Sequence, residues 1–260
     1  MAKTEDIGRE HTVHGPGWAA MHGGYFSSVK NAAALLKELR KAIRSERPRA
    51  VADLGGGTGF ILSQLHKSRR RAPRLVNVDM SRKQTRACLL PGIECINSPI
   101  QELRRKDLLG NDSGPLLLTM RSVLHYTGGK TQWRTFLRRV RRLCLRGEYF
   151  IHQSACFKTE SDAKLMDAIF RLLGTKKRYT TDAKLRKIVR ECGWEVLSVI
   201  PAPELIFTAA EERLRYGMSD RAAEDICKAI KNSAGKSARA ASGHDFTGFF
   251  KYCVFVCRAR

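Results

Sequence analysis

Four glycines in five positions, Gly55, Gly56, Gly57 and Gly59, constrain this chain more than any other feature in it. They follow a short apolar run that carries an acid, Val51-Ala-Asp-Leu54, and precede the apolar residues Phe60, Ile61, Leu62 and Leu65. That order predicts a buried strand, a sharp turn and a helix. Glycine suits the turn because the backbone must bend tightly and lie close against a ligand. The pattern is D-x-G-x-G-x-G, not the G-x-G-x-x-G of loops that hold a bridging diphosphate, since Phe60 follows Gly59. A ligand offering an amino acid and a ribose fits it better than a dinucleotide. A dinucleotide loop and a purely structural turn are the alternatives, and two further features weigh against both.

Asp53-Leu-Gly-Gly-Gly-Thr-Gly59 resembles the first motif of class I S-adenosylmethionine-dependent methyltransferases. The resemblance implies an α/β fold: a Rossmann-like seven-stranded sheet, mostly parallel with an antiparallel last strand, and helices on both faces. It also implies S-adenosyl-L-methionine as cofactor. Gly55, Gly57 and Gly59 would bring backbone N–H groups near the methionine moiety, and Asp53 would organise the loop and favour the cofactor's cationic end.

The first supporting feature is Arg74-Leu-Val-Asn-Val-Asp79, β-branched and apolar and ending on an acid 26 residues after Asp53. One strand–helix–strand unit fits that spacing. A carboxylate at the tip of the neighbouring strand accepts both hydrogen bonds of a vicinal diol, so Asp79 is the expected ribose ligand. Its alternative role is to start a turn and cap the helix from Ser81. Met80 is expected against the adenine face. A short third strand, residues 93–96, leads to Asn97-Ser98-Pro99-Ile100. The family often holds an acid there near the adenine amino group. Ser98 takes that place here, with packing from Ile100.

The second is Pro115-Leu-Leu-Leu-Thr-Met-Arg-Ser-Val-Leu-His-Tyr126, read as the central fourth strand and the turn that leaves its carboxyl end, where open α/β sheets bind ligands. It resembles the R-x-V-L-H-D-W region of small-molecule O-methyltransferases, in which the histidine is the general base. Carried over, the base is His125, with Arg121 and Ser122 along the methionine side. The chain departs from that pattern at Tyr126, which replaces an acid, and at Thr127-Gly128-Gly129, which replaces a tryptophan-rich stretch. His125 as a packing or pocket-lining residue is the other reading. His14, His22 and Tyr25 are weaker candidates.

The remaining segments fit one domain of 260 residues with an attached cap. Residues 1–47 read as a cap segment of turns followed by an amphipathic helix over 27–44 carrying Val29, Ala33, Leu35, Leu36, Leu39 and Ile43. Residues 48–260 read as the methyltransferase domain. Helices are expected over 131–145 and 181–193, the latter with a Thr181 cap and a Gly193 stop. Strands are expected over 148–153, 194–200 and 251–257. An insertion at about 205–248 holds a helix over 219–231 and a small-residue stretch over 232–243 that reads as mobile. The insertion and the N-terminal segment together read as a lid.

Composition narrows the function. Apolar residues make up 43% and no run of eighteen exists, so a membrane span is not expected. The N-terminus has no signal-peptide core. Eight cysteines without a C-x-x-C pair read as reduced thiols in a cytoplasmic protein, with no metal site. Lys and Arg number 48 against 25 acids, a net charge of +23. The basic residues form separate clusters at 67–71, 104–106, 138–142 and 176–178. Such charge attracts phosphate-rich partners, although an amphipathic helix with a solvated basic face explains the 138–142 group. The leading reading is therefore methyl transfer to a small-molecule acceptor, at a hydroxyl oxygen. Methylation of RNA docked on the basic surface is the alternative, and a non-catalytic cofactor-binding protein is a third.

Overall fold

Short apolar runs become buried parallel strands because a sheet covered on both faces needs apolar side chains on both. In the computed structural model, which describes residues 15–66, 73–88, 90–241 and 243–260, these are β1 (Ala50–Leu54), β2 (Arg74–Val78), β3 (Ile93–Ile96), β4 (Leu116–Arg121) and β5 (Tyr149–Ala155). Every residue of β1 and β4 is buried. The basic run 67–71, His11 and His14 lie outside the described residues.

Two long strands complete the sheet, β6 (Trp194–Thr208) and β8 (Phe246–Ala259), with a three-residue β7 (Ala238–Ala240) paired to β8. The order is β3-β2-β1-β4-β5-β8-β6, parallel through β5 and antiparallel where β8 inserts between β5 and β6. This is the sheet the glycine-loop resemblance implies, enlarged to eight strands by β7. The stretch 232–243, expected to be mobile, holds β7 instead. Backbone hydrogen bonding to β8 gives those small residues a fixed partner.

Helices flank the sheet: α1 (Val29–Glu46), α2 (Phe60–His66), α3 (Arg82–Ala87), α4 (Arg105–Leu109), α5 (Lys130–Arg141), α6 (Glu160–Leu172), α7 (Asp182–Glu191), α8 (Ala209–Tyr216) and α9 (Asp220–Lys231). Their starts are legible in local chemistry. Ser28, Thr159, Thr181, Thr208 and Ser219 each accept a backbone N–H of the first turn. In α1 the buried row is Ala32, Leu35, Leu36, Leu39, Ala42 and Ile43, while the expected stripe members Val29 and Ala33 face solvent.

The strands β6 and β8 exceed their expected lengths, and the excess positions the site. β5 pairs with Tyr252–Arg258 of β8 and ends at Ala155, opposite Tyr252. Residues 246–251 of β8 therefore run on past the carboxyl ends of the parallel strands, paired with the last residues of β6 and with β7. This overhang carries an aromatic core of its own, with Phe207, Phe246 and Phe250 packed on Met166, Ile169 and Phe170 of α6. Two other cores fill the two faces of the sheet. Gly248 of β8 sits opposite Phe207, and a Cβ on it would lie 2.1 Å from the ring's Cζ. The ring needs the bare backbone to lie across the strand. Gly248→Ala is expected to lower unfolding free energy by about 1–3 kcal/mol, measured by urea denaturation. An unchanged midpoint would show that the overhang tolerates a displaced Phe207.

Candidate active site

The glycine loop is stitched to the tip of β2. The backbone N–H groups of Gly55 and Gly56 both donate to Val78 O, at 2.7 and 3.1 Å. Gly55, Gly57 and Gly59 have φ of +75°, +58° and +79°, a left-handed region costly for residues with a Cβ. Gly56 is excluded from substitution by space: a Cβ there would fall 2.1 Å from Asn77 Oδ1 and 2.7 Å from Asp53 Oδ2. Asp79 Oδ2 accepts from Gly57 N at 3.0 Å and Oδ1 from Ser81 N at 2.8 Å. The carboxylate thus closes the loop and also starts the turn into α3. Burial pushes its pKa up, and the two backbone donors pull it down. Met80 is 37% exposed beside it. Asn97 Nδ2 donates to Asp79 O at 2.9 Å, Ser98 Oγ donates to Pro99 O, and Ile100 is buried.

Asp53 is buried in β1 beneath this loop, and neither carboxylate oxygen has a hydrogen-bond partner. Burial pushes its pKa up to about 7, against the pull of the Arg121 guanidinium. Arg121, at the end of β4, is buried too. It donates from Nη1 to Phe26 O at 3.0 Å and from Nη2 to Tyr25 O at 3.3 Å, and its guanidinium carbon lies 5.3 Å from the ring centroids of both residues. The guanidinium is thus engaged with the N-terminal segment.

Immediately after it, Ser122 has φ +61°, unusual for a serine. Its N–H bonds to Gln153 O at 2.8 Å, and its hydroxyl lies 2.6 Å from the Tyr252 hydroxyl. Val123 then packs on the glycine loop: a Cβ on Gly55 would fall 2.5 Å from Val123 Cγ2. His125 follows in the turn Leu124–Thr127, buried, its ring 4.4 Å from that of Tyr126 and stacked 5.5 Å from Tyr179.

Ser122, His125 and Tyr126 open onto a small pocket. The N-terminal segment contributes Trp18, His22 and Phe26 to its wall, the β6–β8 overhang Leu205 and Phe250, the adjoining part of β8 Tyr252, and α8 Arg215. The N-terminal segment and α8 meet directly: Arg215 Nη1 lies 3.2 Å from His22 Nε2, and His22 Nδ1 lies 3.5 Å from Glu211. Burial lowers the His22 pKa despite Glu211. Tyr25 donates its hydroxyl to Pro203 O at 2.6 Å and stacks on Tyr252. Sequence reasoning missed Lys177, Tyr179, Arg215 and Tyr252. Lys177 stands in a basic run that reads as surface, yet it is 1% exposed and lines the pocket. Among the described residues no cluster of His, Cys, Asp and Glu is placed to hold a metal, and no helix is long and apolar enough to cross a membrane.

Solved structures bear on the fold. The YcgJ protein of Bacillus subtilis superposes with a TM-score of 0.66 at 12% identity, over 88% of this chain and 99% of that one. A putative methyltransferase of Bacillus halodurans gives 0.67 at 10% identity, over 86% and 97%. LepI, solved in complex with S-adenosylmethionine, gives 0.52 at 11% identity, over 87% of this chain and 46% of LepI. The chain has the class I methyltransferase fold. No protein-family model matches the sequence, and no curated protein matches it significantly.

Asp53 generates a pH prediction. Its proton is held up to about pH 7 in the folded protein but lost near pH 4 in the unfolded chain. The folded state then binds more protons across that window, so Asp53 lowers stability as pH rises from about 4 to 7. Asp53→Asn is expected to gain stability relative to the parent protein over that interval, without ligand, in denaturant titrations at successive pH values. Parallel curves would place the Asp53 carboxyl in a solvated environment.

Proposed function

We propose that this chain is an S-adenosylmethionine-dependent methyltransferase acting on a hydroxyl oxygen of a small molecule. The observation that carries the reading is the adjacency of His125 and the glycine loop: Val123 packs on Gly55, and two residues later His125 lines the pocket. The residues fit the cofactor. An orphaned, buried carboxylate at Asp53 and left-handed backbone at Gly55, Gly57 and Gly59 suit a cationic ligand laid against bare backbone. Gly55, Gly57 and Gly59 would hold the methionine moiety, Asp79 the ribose, and Met80, Ser98 and Ile100 the adenine, with Arg121 and Ser122 shaping the methionine side. When bound, the cofactor supplies an electrophilic methyl group on a sulfonium.

The chain's own residues have the remaining tasks. His125 accepts the acceptor's hydroxyl proton on an imidazole nitrogen, a role suited to a neutral ring near pH 7. Tyr179 stacks on that ring and limits its orientation. The N-terminal segment and the insertion, held together through His22, Arg215 and Glu211, act as a lid that keeps water from the nucleophile. The net charge of +23 is the one observation favouring an RNA acceptor.

Asp79→Ala is expected to weaken S-adenosylhomocysteine binding by about 1–3 kcal/mol in calorimetry. His125→Ala is expected to leave that affinity nearly unchanged and cut turnover about 10²–10⁴-fold, read as labelled methyl transferred into metabolite extracts. Full turnover in the histidine variant would remove the base from the mechanism. Label appearing in RNA instead, with binding that weakens steeply with salt, would favour the nucleic-acid reading.

A further inference from the structure

Asn77 breaks the apolar pattern of β2. Leu75, Val76 and Val78 around it are buried, and Asn77 itself is 0% exposed. Asparagine is a poor strand former, and a buried primary amide costs free energy unless it is hydrogen-bonded. Its Oδ1 has no partner. What the amide gains lies on its donor side. Nδ2 donates to Gly57 O at 2.9 Å, and it also lies 4.0 Å from Cys95 Sγ. The Gly57 carbonyl decides the amide's orientation, because Oδ1 turned that way would set acceptor against acceptor.

Residues 77–79, at the tip of β2, thus hold the glycine loop together. Val78 O accepts from Gly55 N and Gly56 N, Asp79 Oδ2 accepts from Gly57 N, and Asn77 donates to the carbonyl of the same Gly57. Asn77 and Asp79 are two apart in sequence, so the strand period puts them on one face. Gly57 is held by its N–H from one and by its C=O from the other. Its φ is +58°, a region that glycine enters about as readily as the opposite sign. Glycine alone does not select that conformation, and bonds to both of its backbone polar groups do. Asn77 also lies directly under the turn: a Cβ on Gly56 would fall 2.1 Å from Oδ1, and one on Gly59 3.9 Å from Nδ2.

We propose that Asn77 is a positioning residue for the cofactor loop, fixing the glycine turn from beneath through the Gly57 carbonyl. The word cofactor rests on the S-adenosylmethionine reading, but the hold on the loop is testable without ligand. Asn77→Leu keeps the approximate volume and removes the donor. Amide hydrogen exchange of the ligand-free protein, read by mass spectrometry, is expected to quicken about tenfold in the glycine loop while β4 and β8 keep the parent's rates. Parent-like loop exchange in this variant overturns the proposal. Asn77→Asp decides the matter should the leucine variant fail to fold or exchange faster throughout. Its carboxyl donates to Gly57 O when protonated and has no donor when ionised. Loop exchange relative to the parent should therefore be near normal at pH 6 and faster at pH 9, and an equal ratio at both overturns the proposal. Calorimetry with S-adenosylhomocysteine should show about tenfold weaker binding to Asn77→Leu. A loosened loop with parent affinity overturns the positioning role. Failure of the parent protein to bind that compound would count against the cofactor reading and leaves the exchange comparison intact.

Discussion

A guanidinium buried at the tip of the central strand organises this site. Arg121 cannot be held out of water without hydrogen-bond acceptors and compensating charge. It finds acceptors in the carbonyls of Tyr25 and Phe26, and ring faces in their side chains. Its electrostatic pull reaches Asp53, whose carboxyl burial would otherwise push up still further. One charge thus fixes the N-terminal segment over the carboxyl ends of β1 and β4. Trp18, His22 and Phe26 come with that segment and become pocket wall. Tyr25, anchored by the same contacts, stacks on Tyr252, whose hydroxyl meets Ser122.

The second constraint is topological. In an open α/β sheet the carboxyl ends of the strands form a crevice that must be walled from outside the sheet. Here the sheet supplies part of the wall itself, because β8 runs antiparallel to β5 and continues beyond it. The overhang is stable because it has its own aromatic core with α6, and α8 follows directly from β6. The base candidate His125 and the buried Lys177 and Arg215 therefore meet across elements far apart in the sequence.

The sheet and the glycine loop were legible because their signals are local. Glycine spacing, a strand ending in Asp79, and caps such as Thr181 depend on neighbours within a few residues. The sheet's antiparallel ending was implied by the family resemblance. What the sequence concealed is set by partners far along the chain. Lys177 reads as one of three consecutive basic residues, and nothing nearby reveals that Tyr126 and Tyr216 enclose it. Residues 232–243 lack an apolar pattern, so β7 is defined by backbone pairing to β8 and not by side chains. The strand excess in β6 was hidden by Pro201 and Pro203, which break the pattern in an edge strand where proline is tolerated.

The basic composition deserves the same local reading, since a charge count does not say where charge points. Arg139 of α5 donates to the carbonyls of Gln101 and Leu103, and Arg141 to those of Gly193 and Cys144. Arg105 forms a two-pronged pair with the buried Glu148, which also accepts the N–H groups of Leu116 and Leu145. These arginines satisfy loop carbonyls and a buried carboxylate, so part of the 104–106 and 138–142 clusters serves the fold. Lys177, Arg215 and Arg121 are enclosed as well. Exposed phosphate contacts are what produce steep salt dependence, and an enclosed cation contributes little to it. The excess of 23 positive charges therefore overstates the surface available to a polyanion.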